Sequence, residues 1–181
     1  MEEKNKIELN RAAKEVEKCK SCPLYNKENK KVFSKGNENA RIMLIGEAPG
    51  EEEAKNGIPF VGTAGERLDK CLNKAGINFN DLYITNTVKC RPENNRNPKG
   101  DEIKTCHKFL TAQIEAVNPE IIILCGAIAR KAFGINKPLK DCHGKVTMQD
   151  NRKLVPVYHP IASVKKDIKI KDFKKVKELL K

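Results

Sequence analysis

The sequence predicts an α/β fold with a mainly parallel sheet covered by helices on both faces, and three observations lead there. Short apolar runs alternate with segments whose apolar residues recur at helical spacing. The runs read as buried strands. Their carboxyl-terminal ends carry Glu47, Asn86, Gly126 and His159, and an open parallel sheet builds its sites at such strand ends.

The elements follow in chain order. Residues 6–19, "KIELNRAAKEVEKC", carry apolar side chains at helical spacing, and 41–46, "RIMLIG", form the first strand. The acidic run 51–53 begins a helix, because carboxylates complement the free N–H groups of a helix start. Residues 62–77 form a helix closed by Gly76, and 81–88, "DLYITNTV", a second strand. A polar loop, 91–100, leads into the helix 101–117, and Pro119 precedes the third strand, 120–126. A short helix covers 127–134, and the last main strand, 153–160, ends in His159 and Pro160. Residues 144–155 have the pattern of a hairpin, which makes the final strand partly antiparallel, and 170–181 form a basic helix.

Composition sets the class of partner. With 181 residues, 39% of them hydrophobic, the chain suits one domain spanning 1–181. Lys and Arg outnumber Asp and Glu by 36 to 24, a formal net charge of +12. Such an excess points to a polyanion, nucleic acid first, although a lysine-rich surface adapted to high temperature has the same composition. No apolar run approaches the ~20 residues of a membrane span and the first residues hold no signal-peptide core, so the expected location is the cytoplasm, with no membrane partner.

Seven cysteines in a cytoplasmic chain favour metal ligation or buried thiols over disulfides. Cys19 and Cys22 form a C-x2-C pair, compatible with zinc, an iron–sulfur cluster or a redox couple. Cys90 and Cys106 have fifteen residues between them and converge only if the fold brings the loop round. Spacing does not choose between zinc and [4Fe–4S] for a site of four thiolates. Cys71 and Cys125 read as core fillers and Cys142 as a free thiol in a loop.

The segments "GEAPGEEEAKNGIPFVGTAGERL" and "TNTVKCRPENNRNP", the "YHP" after an apolar strand, and the four cysteines together resemble the family 4 uracil-DNA glycosylases, the iron–sulfur type of archaea and thermophilic bacteria. The likeness runs from Cys19 to about Ser163. It implies a three-layer α/β/α sandwich around a four-stranded, mainly parallel sheet, and a [4Fe–4S] cluster on Cys19, Cys22, Cys90 and Cys106. It also implies uracil-containing DNA as substrate, in single or double strands, a monomeric enzyme, and downstream repair or replication proteins as partners.

Excising a base requires rotating its nucleotide into a pocket, reading its edge and breaking the N-glycosidic bond. Positive charge then grows on the sugar and negative charge on the departing base, so a carboxylate and a donor are needed on opposite sides of the bond. Glu47 is the expected carboxylate, with Glu53 as the alternative, and His159 the expected donor. The wider superfamily's best-known members place a water-activating Asp where Ala48 stands here. Gly46, Glu47, Ala48, Phe60, Asn86 and His159 form the expected uracil site, Phe60 stacking on the base and Asn86 reading its O4 and N3–H. Singly, Glu47 and Asn86 also fit turn or capping residues, His159 a satisfied strand-end histidine, and Phe60 a core residue. Expected DNA contacts are Arg91, Arg96, Lys99, Lys165 and Lys166 for phosphates, with Ile161 and Val164 as wedges. The alternatives are a non-catalytic iron–sulfur or zinc module that binds nucleic acid, and an electron-transfer protein. A covalent trap of the abasic sugar is disfavoured by the absence of an Arg-rich, His-containing insertion after Asn86.

Overall fold

A computed structural model describes residues 2–180 of the chain. Four parallel strands form the centre: β2 (Ile42–Gly46), β3 (Leu82–Asn86), β4 (Ile121–Cys125) and β6 (Arg152–Val157). Two short strands, β1 (Lys35–Gly36) and β5 (Thr147–Gln149), add antiparallel edges, giving the order β1-β3-β2-β4-β6-β5. The parallel centre matches the expected four strands, while the sheet as a whole has six. Of the two additions only β1 escaped the sequence pattern, because two residues are too short to carry an apolar signature. Strand β5, though exposed at every position, was foreshadowed as one arm of a hairpin. The hairpin expected at 144–155 is the β5–β6 pair.

Each of β2, β3 and β4 is buried along its full five residues, as strands covered on both faces must be. Alternate side chains feed two cores. Ile42 and Leu44 of β2 face Leu68 and Leu72 of α3 (Thr63–Ala75) and Phe173 and Val176 of α7 (Lys166–Glu178). Met43 and Ile45 face Leu9 of α1 (Glu2–Lys18) and Leu110 and Val117 of α4 (Gly100–Val117). Two helix pairs, α3 with α7 and α1 with α4, thus cover opposite faces and make the three expected layers. The short helices are α2 (Glu51–Asn56), α5 (Ala127–Ala132) and α6 (Leu139–Cys142).

Cys71 and Cys125 lie in the core as expected, at 4% and 0% exposure. Cys142 is a free thiol as expected, but not in a loop: it ends α6, buried, with its thiol 3.6 Å from the Lys137 carbonyl. Helix α7 starts four residues before the expected 170, which shortens the loop after His159 and puts Lys166 in the first helical turn. Lys181 lies outside the described residues. No helix among the described residues is long and apolar enough to cross a membrane.

Candidate active site at the carboxyl ends of the strands

Parallel pairing sets Gly46 beside Asn86 across β2 and β3, and Cys125 beside Val157 across β4 and β6. The chain runs from β2 to β3 on one side and then crosses to β4 on the other, so a cleft opens beyond the end of β2. Glu47, Ala48, Phe60, Asn86, His159 and Ile161 all line it. Gly46 lies beneath the cleft instead of on its wall. A Cβ built there would overlap Asn86 Oδ1 and stand 2.8 Å from two atoms of the Phe60 ring. Gly46→Ala is therefore expected to push both side chains from their seats and to cost about 1–3 kcal/mol by overpacking. Thermal unfolding of the variant checks this, and an unchanged Tm would show that the two side chains give way freely.

Glu47 follows β2 directly. Its Oε1 accepts the Ile128 N–H at 3.0 Å, at the start of α5, and Oε2 has no partner among the described residues. Gly126, with φ of 101°, makes this approach available, since a side chain there would collide with the Glu47 carboxylate. One oxygen is thus held and the other is free toward the cleft.

Glu53 behaves differently. Its Oε2 accepts the Gly50 N–H at 2.7 Å, which caps the start of α2. Its Oε1 accepts the Phe60 N–H at 2.7 Å and the Asn86 side-chain amide at 3.2 Å. Both oxygens are engaged, which leaves Glu47 the freer carboxylate. The run 51–53 divides accordingly: Glu51 and Glu52 pair with Lys55 on the surface, and only Glu53 turns inward. Its spacing from Gly50 was the one sequence signal of this.

Phe60 is buried at 4% exposure with φ of 49°, a left-handed backbone that is costly for a ring-bearing residue. Glu53 holds its N–H, and Lys35 Nζ donates to its carbonyl at 2.9 Å. The ring lies 6.0 Å from that of His159, centroid to centroid, at 28° between planes. Burial lowers the His159 pKa below the usual imidazole value, against the raising pull of Glu47 and Glu53 and with a further lowering from Lys169. The ring is therefore neutral at neutral pH. Lys169 itself is buried and donates to the Pro160 and Ala162 carbonyls, each at 2.7 Å, pinning the loop that leaves His159. Asn86 is held through its main chain as well: the buried Lys89 donates to its carbonyl at 2.7 Å and to Thr85 and Gln113. Asn95 and Asn97 also line the cleft. None of Lys35, Lys89, Asn95, Asn97 and Lys169 was legible as a site residue in the sequence.

Around the cleft, Ile161 is 53% exposed and Val164 half-buried. Lys99, Lys165 and Lys166 are exposed. Arg91 donates to Asn95 at 2.8 Å and lies 3.5 Å from Glu51. The Arg96 guanidinium forks onto both oxygens of Glu102 at 2.6 and 2.9 Å, and Glu102 is 1% exposed.

Cys19, Cys22, Cys90 and Cys106 gather in one apolar cluster with Val16, Leu24, Val88 and Phe109, and none forms a disulfide. Burial, with Cys106, Cys22 and Cys19 beside it, pushes the Cys90 thiol up to about 12, against the lowering effect of Lys31. Among the described residues no three His, Cys, Asp or Glu side chains meet closely enough to hold a single ion. The donor set is four thiols with no carboxylate or imidazole among them, and this suits an iron–sulfur group.

The family model described as Uracil DNA glycosylase superfamily matches residues 33–181. The chain is 39% identical to the type-4 uracil-DNA glycosylase of Thermotoga maritima, over 92% of this chain and 91% of that one. It is 41% identical to the type-4 enzyme of Saccharolobus solfataricus, over 95% and 86% of the two chains. With the type-4 enzyme of Archaeoglobus fulgidus the figures are 35% identity over 94% and 92%.

Proposed function

The chain belongs to the uracil DNA glycosylase superfamily, among its type-4 enzymes, and from that premise we propose which residues excise uracil from DNA and how. The observation that carries the assignment is the convergence in one cleft of Glu47, Asn86 and His159 from separate strand ends and of Phe60 from the segment between α2 and α3. A nucleic-acid-binding module without catalysis has no need of that grouping.

A uracil turned out of the strand stacks on Phe60, and its O4 and N3–H meet the amide of Asn86. His159, neutral through burial, donates a hydrogen bond to the uracil O2 as the bond from C1′ to N1 breaks and its electron pair moves onto the base. Glu47 acts from the opposite side. Its free oxygen orients a water toward C1′, stabilises the growing positive charge, and takes the proton that the water loses. The base leaves as the uracil anion, which takes a proton from solvent, and an abasic site remains. Glu47 is preferred to Glu53 for this role because both oxygens of Glu53 already accept hydrogen bonds.

Ile161 is the wedge best supported by exposure, ahead of Val164. Arg91, Lys99, Lys165 and Lys166 supply phosphate contacts, whereas Arg96 braces the 91–100 loop through Glu102. Cys19, Cys22, Cys90 and Cys106 hold a [4Fe–4S] cluster, which when bound ties the loop of the first two cysteines to the segment after β3 and to α4. The whole chain, 1–181, acts as one catalytic domain, a cytoplasmic monomer that leaves its product to downstream repair proteins.

Release of free uracil from a uracil-containing oligonucleotide tests the reading, with thymine, hypoxanthine and xanthine substrates alongside. Intact oligonucleotide after incubation with the holoenzyme would reject it. Affinity for undamaged DNA is expected to fall steeply with salt, because each neutralised phosphate releases condensed counterions. With about four such contacts the slope of log K against log salt should be about −3 to −4. A slope near zero, measured by fluorescence anisotropy, would remove the phosphate contacts.

A further inference from the structure

The excision mechanism leaves Glu53, a carboxylate of the cleft, without a part in the chemistry. We propose that Glu53 is a positioning residue that decides which base the cleft accepts, by fixing the orientation of the Asn86 amide. The proposal rests on the reading of Asn86 as the group that meets the base.

A carboxamide carries a donor at one end and an acceptor at the other, in nearly the same shape. Turning it half a revolution inverts the pattern it presents. One orientation complements the O4 acceptor and N3–H donor of uracil; the reverse complements the amino donor and N3 acceptor of cytosine. Selectivity therefore needs something to hold the amide one way round. Asn86 Nδ2 stands 3.2 Å from Glu53 Oε1. A carboxylate only accepts, so the inverted amide would set oxygen against oxygen at that distance. Asn86 is 1% exposed, and water cannot readily relieve such a contact.

The lock works only if Glu53 cannot turn, and the backbone prevents that. Oε2 accepts the Gly50 N–H and Oε1 the Phe60 N–H, each at 2.7 Å. The order of constraint runs from main chain to Glu53, from Glu53 to Asn86, and from Asn86 to the base. The remaining amide proton and Oδ1 of Asn86 are left for uracil. Because one oxygen serves both Phe60 and Asn86, the stacking ring and the reading amide are set by the same group.

The test compares binding of two duplex oligonucleotides identical except for a central 2′-fluoro-2′-deoxyuridine or 2′-fluoro-2′-deoxycytidine opposite guanine. The fluorine slows cleavage, and the cost of opening each pair is common to all proteins compared, so it cancels from changes in the affinity ratio. The wild-type holoenzyme should prefer the uracil strand. Glu53→Gln can present an amide where Asn86 now meets a carboxylate, and should lower the preference about tenfold or more. In an Asn86→Ala background the same substitution should leave the ratio unchanged, since it acts through Asn86. A role in stability alone would weaken binding of both strands in proportion. No preference in the wild type would defeat the base-reading assignment itself. A wild-type preference retained in Glu53→Gln, or an equal change without Asn86, would overturn the lock alone. If Glu53→Gln fails to fold, Glu53→Asp carries the test, its shorter stem taking the carboxylate out of reach of Asn86. Retention of the wild-type ratio there would likewise overturn it.

Discussion

Glu47→Gln and His159→Ala are each expected to lower the single-turnover rate of uracil excision by about 10²-fold or more, with affinity for DNA nearly intact. Glu47→Gln is the cleaner of the two. Its carbonyl oxygen can still accept the Ile128 N–H now bound by Oε1, so the side chain keeps its seat and loses only its charge and its capacity to take a proton. His159→Ala removes the donor on the leaving-group side. The loop beyond it remains pinned by Lys169 through the Pro160 and Ala162 carbonyls, so the backbone path into the wedge survives the substitution. The two losses should not add, because each residue acts at one end of the same charge separation. Rapid-quench measurement with excess enzyme reads the effect directly. Wild-type rates in both variants would end the proposed division of labour.

Cys90→Ala is expected to abolish the cluster and much of the stability with it. Wild-type protein prepared without oxygen should be brown, with a broad visible absorption and about four irons per chain; the variant should be colourless. The structural consequence follows from where the thiols stand. Cys19 and Cys22 come just after α1, Cys90 lies just past β3, and Cys106 is within α4, yet all four share one small apolar cluster. Without the proposed cluster, the buried Cys106 and the half-buried Cys19 and Cys22 would have no common partner, and the 91–100 loop beside the cleft would be released. A loss of several kcal/mol is expected against the ~5–15 kcal/mol that holds a typical domain folded, seen as a large drop in Tm. Excision should fall as a secondary effect. A colourless wild-type protein with stoichiometric zinc would overturn the cluster assignment.

Much of this architecture was legible in the sequence. The runs that became β2, β3, β4 and β6 are apolar over consecutive positions, and a run of that kind has few ways to be covered except from both faces. Strand ends in such a sheet are places for chemistry, and so Glu47, Asn86 and His159 stood out by position as well as by resemblance. The edge strand β1 was not legible, because two residues leave no apolar pattern, whereas β5 was foreshadowed by the hairpin pattern at 144–155.

The sequence by itself determined the order of elements, the basic surface, the four candidate thiols and the polar residues at the strand ends, since these depend on local spacing and composition. Only the tertiary structure decided how charges were shared. The fold sets Arg96, a candidate phosphate contact by sequence, on the buried Glu102, and it gives both oxygens of Glu53, the alternative carboxylate, partners of their own. The reason is physical. A side chain's charge is written in its own atoms, but its availability depends on which donors and acceptors the fold brings within about 3 Å, and those come from residues distant in the chain.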